Sequence, residues 1–181
     1  MNQPAYSETP LSELDFPLER DVFLRTLIRE LSGTLEEVVG IREASGFLSV
    51  VGQHMGEWIN QSYKDLLGVS KLTRDQVVQA LLDLKARIKG DFYVIEQDDE
   101  KIVMGNRACP FEDKVLDRTC MCMMTSNVFG SITADNLGYA KVELQQTIAN
   151  GAPECRVVVY LKRSEACKAI EGREYFGVDE A

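Results

Sequence analysis

Apolar residues first recur with a helical period at Leu24, Leu27, Ile28, Leu31, Leu35, Val38 and Val39. Steps of three and four put them on one face of an amphipathic helix, and Gly40 is placed to end it. A second series at Phe47, Val50, Val51, Met55, Trp58, Ile59 and Leu66 keeps that spacing and predicts the central helix, with its stripe in the core. Gly52 and Gly56, four apart on one side of it, lower helix propensity but let another backbone or a ligand approach. Thr73-Arg-Asp-Gln76 fits a capping box that opens a third helix carrying Val77, Val78, Leu81, Leu84 and Ile88 to a stop at Gly90.

Beyond Gly90 the period changes. Phe92-Tyr-Val-Ile95 and Lys101-Ile-Val-Met104 flank the turn-like Gln97-Asp-Asp-Glu100 and predict a hairpin. Residues 105 to 122 form a cysteine-bearing connection, and Thr125 to Asn136 a short helix capped by Thr125 or Ser126, with Gly138 past its end. A second hairpin follows from the alternation of Tyr139 to Ile148, the Asn150-Gly151 turn and the strand Arg156-Val-Val-Val-Tyr-Leu161. Helices followed by paired strands make an α+β domain, N-terminal helices packed on one antiparallel sheet of two hairpins. The chain then divides into a disordered tail (1–17), an α+β domain (18–162, helical over 18–90, sheet and cysteines over 91–162), and a C-terminal short helix and acidic tail (163–181).

Composition narrows the function. With 181 residues, 45% of them hydrophobic, the chain can bury one sizeable core. A net charge of −9 and no basic run longer than Lys162-Arg163 argue against direct nucleic-acid or anionic-membrane binding. No stretch of about 18 apolar residues could span a bilayer. Residues 1–18 lack the basic and apolar regions of a signal peptide, so the expected location is cytoplasmic. A single histidine, His54, excludes three-His zinc, two-His-one-carboxylate iron and His-Glu-x-x-His sites within one chain. Neither phosphate-binding glycine motifs nor Gly-x-Ser-x-Gly occur, and no catalytic residue is assigned.

Five cysteines remain as chemistry: Cys109, Cys120, Cys122, Cys155 and Cys167. The first four fall in loops or at element ends, and two hairpins in one sheet would bring them together. Four thiolates suit tetrahedral zinc and equally an iron–sulfur cluster, while Cys120-Met-Cys-Met-Met124 is also rich in donors for Cu(I). The plainer alternative is that buried cysteines pack as small hydrophobes, the reading given to Cys167. A metal-free variant would use a ligand pocket over the Gly52 and Gly56 face with His54 and Trp58, although a lone histidine on an apolar helix is ordinarily structural. A thiol enzyme using Cys122 or Cys109 would need a depressed thiolate pKa and a nearby base.

Several strings, taken together, resemble the methanogen output domain: Asp91-Phe-Tyr-Val-Ile95, Gly105-Asn-Arg-Ala-Cys109-Pro-Phe, Cys122-Met-Met-Thr-Ser-Asn-Val-Phe-Gly130, Gly138-Tyr-Ala-Lys-Val and Glu154-Cys-Arg-Val-Val-Val-Tyr160. Including Glu43-Ala-Ser-Gly-Phe47 and Val51-Gly52, the resemblance covers residues 20 to 162. That family is similar to the vinyl-reductase-type small-molecule-binding domain of bacterial aromatic-responsive activators, and more distantly to the vesicle-tethering and nitric-oxide-sensor fold. The resemblance implies a sensory or regulatory module, commonly a homodimer, that acts through another signalling protein and binds a possible small-molecule ligand. It places Cys109, Cys122 and Cys155 on cysteines of the family, and in the aromatic-responsive relatives a zinc site uses positions similar to Cys122 and Cys155. The relatives' zinc site adds a Glu-x-x-Cys pair on the preceding strand, where this chain has Leu144 to Thr147, so Cys109 would supply the missing thiol and Cys120 or Glu143 would have to complete the set.

Overall fold

The computed structural model describes residues 15–177, so residues 1–14 and the end of the acidic tail lie outside the description. Two long helices, α1 (Arg20–Val39) and α2 (Ile41–Leu67), meet at Gly40, whose φ of 83° lies in the region that disfavours any side chain. α3 (Arg74–Arg87) opens with the anticipated capping box: Thr73 Oγ1 accepts from the Gln76 N–H at 3.3 Å and Gln76 Oε1 from the Thr73 N–H at 2.9 Å. α4 spans Cys122–Leu137 and ends at Gly138, four residues longer at its start than the Thr125 cap implied. α5 is the short turn Glu165–Lys168, capped by Ser164.

The strands pair as the alternation requires. β1 (Phe92–Gln97) and β2 (Lys101–Asn106) form one hairpin, whose turn is held by the Asp98 carboxylate accepting from the Glu100 and Lys101 N–H groups. β3 (Tyr139–Gln146) and β4 (Cys155–Tyr160) form the other. β2 lies against β4 from Lys101 opposite Tyr160 to Asn106 opposite Cys155, which joins the hairpins into one antiparallel sheet. A strand the sequence did not suggest, β5 (Arg173–Phe176), extends the edge beside β3 and gives the order β1-β2-β4-β3-β5.

The core differs from the expectation in one important respect. α4, not α2, is the central helix: Phe129 and Ile132 are fully buried, and even its polar Asn127, Thr133 and Asn136 are enclosed between α2 and the sheet. α2 turns small and polar residues inward, including Ala44, Ser49, Gly52, Gly56 and Asn60. Its apolar stripe of Phe47, Val51, Met55 and Trp58 faces outward, with Trp58 64% exposed. α1 behaves alike, burying Ser32 and Gly33 while Leu24, Leu27, Leu31 and Val38 stay exposed. Leu72, Val77, Leu81 and Leu84 from the α3 region fill the main core with Ile102, Met104, Val142, Val157 and Val159 from the sheet. Each such fully buried aliphatic side chain stabilises the fold by roughly 1.5–3 kcal/mol.

Candidate functional site

The register that sets Asn106 opposite Cys155 also brings the chain after β2 back towards α4. Asn106 Oδ1 accepts from the N–H groups of Asp91 (3.2 Å) and Ala108 (3.3 Å), fixing the turn that presents Cys109. Cys122 is the first residue of α4 and Cys155 the first of β4. These three thiols, from α4, β4 and the connection after β2, line one cavity of about 30 Å3 together with Phe92, Phe111, Thr125 and Thr147. A single water needs about 10–15 Å3 by such a measure, so the cavity admits a small species.

Hydrogen bonds to sulfur are already provided. The Ile148 N–H donates to Cys155 Sγ at 3.3 Å, and the Asn106 amide lies 3.8 Å from the same atom. The Glu112 N–H donates to the Cys109 carbonyl at 2.8 Å, and the Phe111 and Glu112 N–H groups near the Cys109 thiol and the Thr147 side chain near Cys122 each pull the thiol's pKa down. A buried cation faces all three: Lys85, only 5% exposed, donates from Nζ to Thr125 Oγ1 at 2.8 Å and lies over the rings of Phe92 and Phe129. Burial pushes its pKa down to about 8, against the opposing pull of the three cysteines. Burial likewise drives Cys122 up to about 12 and raises Cys109, where the two N–H donors and Lys85 offset part of the effect. Raised thiol pKa values are the reverse of what a nucleophilic cysteine requires.

The fourth cysteine of the expected set goes elsewhere. Cys120 precedes α4 in a short 3-10 segment, Thr119–Met121, and its thiol donates to Glu36 Oε2 on α1 at 3.5 Å, away from the cavity. Burial and then Glu36 raise its pKa. Glu143 is no substitute, because its carboxylate accepts from the Tyr160 hydroxyl on the sheet. Leu144 and Thr147, the ends of the stretch where the relatives' Glu-x-x-Cys pair would fall, do line the cavity. Among the described residues, no group of three or more His, Cys, Asp or Glu side chains is placed to hold a metal ion, so the expected four-cysteine centre of Cys109, Cys120, Cys122 and Cys155 is not formed. Cys167 packs in the interior with its sulfur 3.7 Å from the Tyr139 hydroxyl.

Where a ligand pocket was expected over Gly52 and Gly56, α4 occupies the face instead. A Cβ on Gly52 would stand 2.8 Å from Asn127 Cβ and 3.0 Å from Met124 Cα, and one on Gly56 3.2 Å from Val128 Cα. The glycines therefore serve helix–helix approach, while His54 and Trp58 point to the opposite, exposed side. Two features escaped the sequence reading. One is a polar groove of about 500 Å3 between α2, α4 and β5, lined by Gln53, Glu57, Asn127, Ser131 and Arg173. The other is Lys85, whose position four residues after Leu81, on the apolar face of α3, was the available signal.

A family model described as methanogen output domain 1 matches residues 27–160. No curated protein matches the sequence. The fold is similar to the phenol-responsive sensory domain of the transcription activator PoxR with phenol (TM-score 0.59, 15% identity, 80% of this chain and 76% of that one). It is also similar to a trafficking protein particle complex subunit 3 from Naegleria fowleri covalently bound to palmitic acid (TM-score 0.58, 13% identity, 79% and 95%). An Fe(II) unliganded H-NOX protein variant from K. algicida shares it too (TM-score 0.54, 15% identity, 85% and 80%). At these identities the likeness is one of fold.

Proposed function

The chain belongs to the methanogen output domain 1 family, and on that footing we propose that it is a cytoplasmic sensory module whose signal site is the three-thiol cavity. In this reading Cys109, Cys122 and Cys155 hold one thiophilic dication of the zinc type, and its uptake or loss is the event transmitted to a partner protein. The observation that carries it is the convergence of three thiols on one cavity, with the Ile148 N–H already donating to Cys155 Sγ and the buried Lys85 ammonium near by. Donors aimed at sulfur favour thiolates over thiols and tune bound metals. Charge arithmetic points the same way, since three thiolates and a dication leave one negative charge and Lys85 supplies one positive.

An iron–sulfur cluster fits these residues poorly. Such clusters take four cysteines, and Cys120 is engaged with Glu36. Zinc accepts three protein ligands with an open fourth position, which leaves a place for an exchangeable signal ligand. Uptake requires the thiols to lose their protons and draw inward. The shared fold of a phenol-responsive sensory domain supports a sensory role. A second reading rests on the polar groove beside Arg173, whose volume of about 500 Å3 lies within the usual range for small-molecule sites. No helix among the described residues is long and apolar enough to cross a membrane.

Anaerobic titration with Co2+, followed by displacement with Zn2+, tests the main reading. The expected result is one equivalent bound with thiolate-to-cobalt charge-transfer absorption, lost in Cys109→Ser, Cys122→Ser and Cys155→Ser and kept in Cys120→Ser and Cys167→Ser. Absence of saturable binding, or binding that survives Cys122→Ser, would transfer the sensing role to the groove.

A further inference from the structure

The groove of about 500 Å3 between α2, α4 and β5 holds charges of both signs. Two of its carboxylates are already answered. Asp135 Oδ2 accepts from the Lys64 ammonium and, at 2.6 Å, from the Asn60 amide. Glu174 Oε1 accepts from the Tyr139 hydroxyl at 2.8 Å and faces Arg163 Nε at 3.4 Å. Arg173 and Glu57 differ: both line the groove, yet among the described residues neither enters an ion pair, with the other or with a third group. Arg173 Nη1 donates to Ser49 Oγ, which anchors the guanidinium to α2 while its other N–H groups find no protein acceptor among the described residues. Glu57 Oε1 accepts from the Gln53 amide, one turn earlier on α2, at 2.9 Å. Asn127 is 3% exposed and gives its amide N–H to the Met123 carbonyl at 2.7 Å, so its oxygen is left to accept, and the Ser131 hydroxyl completes the polar lining.

These groups select a ligand by elimination. An apolar molecule would strip water from Arg173, Glu57 and Asn127 and return no hydrogen bond. A molecule of single sign would satisfy one of the two charges and be repelled by the other. We propose that the groove binds a small zwitterion, an ammonium and a carboxylate on one molecule as in a free amino acid, with the carboxylate on the unused N–H groups of Arg173 and the ammonium on Glu57. A guanidinium held by one nitrogen keeps the planar pair of donors that a carboxylate takes best. Asn127 and Ser131 then meet the polar remainder of the ligand and fix its orientation. The ligand class rests on the second reading above, that this groove is a site, and is independent of the thiol cavity, which shares no residue with it.

Thermal shift of the full chain against each of the twenty common L-amino acids, followed by calorimetry with the strongest, tests it. One molecule should bind per chain, and its N-acetyl and methyl ester forms should each bind at least about 10-fold more weakly, the loss of one charge-assisted hydrogen bond. Arg173→Gln should bind the free acid and the ester alike, and Glu57→Gln the free amine and the N-acetyl form alike, a loss of discrimination that general destabilisation does not produce. Should either variant fail to fold, the derivatives on the wild-type protein decide alone. An amino acid bound no better than its own derivatives would overturn the proposal, since neither charge would then be read. Binding of glucose, an uncharged polar probe, with no amino acid bound would overturn the zwitterion and keep the groove as a site, whereas binding of neither would overturn both.

Discussion

Two glycines on α2 predict opposite responses to the same substitution. A methyl group added at Gly46 would meet no heavy atom within 4 Å, so Gly46→Ala gains only helix propensity, about 0.8–1.0 kcal/mol. Gly52→Ala gains as much but drives its methyl to 2.8 Å from Asn127 Cβ and 3.0 Å from the Met124 Cα and carbonyl oxygen. Two of those three neighbours are backbone of the buried helix α4 and cannot swing aside. Overpacking of this kind costs about 1–3 kcal/mol, and with an immobile neighbour the upper half applies, leaving a net loss of about 1–2 kcal/mol. Urea denaturation at one fixed protein concentration should move the midpoint up for Gly46→Ala and down for Gly52→Ala at constant m-value. Equal stabilisation by both would refute the close α2–α4 contact and reopen that face to a ligand.

Holding Lys85 charged where burial has lowered its pKa from 10.5 to about 8 costs about 3 kcal/mol at neutral pH. Lys85→Met should therefore stabilise the metal-free protein by about 1–2 kcal/mol at neutral pH after loss of the Thr125 hydrogen bond. That advantage should shrink as pH rises through 8 towards 10.5, where the wild type sheds the proton, and urea melts across this range read the trend. The same variant should bind zinc more weakly, since it removes the balancing charge. Cys109 and Cys122 are held protonated at neutral pH, so zinc uptake should release at least two protons and tighten about 100-fold or more per pH unit, which calorimetry in buffers of different ionisation enthalpy measures. Iodoacetamide should label both thiols more slowly in the native protein than after unfolding, with zinc slowing it further, as mass spectrometry would record.

Local signals in the sequence led directly to local structure. Thr73 and Gln76 make the capping box, Asp98 closes the first hairpin turn, and Gly138 ends α4. The helical stripes of α1 and α2 were equally clear, but periodicity reports that a face is apolar and not which body covers it, so Trp58 was placed in the core and stands outside it. α4 gave the weakest pattern because a helix enclosed on all sides needs no polar face. β5 is four residues long and depends on β3 for its pairing, which leaves no local period to read. For the site, Cys109, Cys122 and Cys155 come together because β2 pairs with β4, a consequence of the two-hairpin sheet. Cys120 could not be separated from them by spacing, since the 3-10 segment before α4 decides which way it points. Lys85 was hidden by its type, as lysine is expected at the surface and here faces the thiols.

X-ray absorption at the zinc edge of the zinc-loaded wild-type protein tests the central claim most directly, because it counts the atoms bound to the metal. Three sulfur ligands and one lighter atom, falling to two sulfurs in Cys122→Ser, is the result the cavity predicts. A shell of nitrogen and oxygen, or a sulfur count unchanged by removal of Cys122, would contradict it.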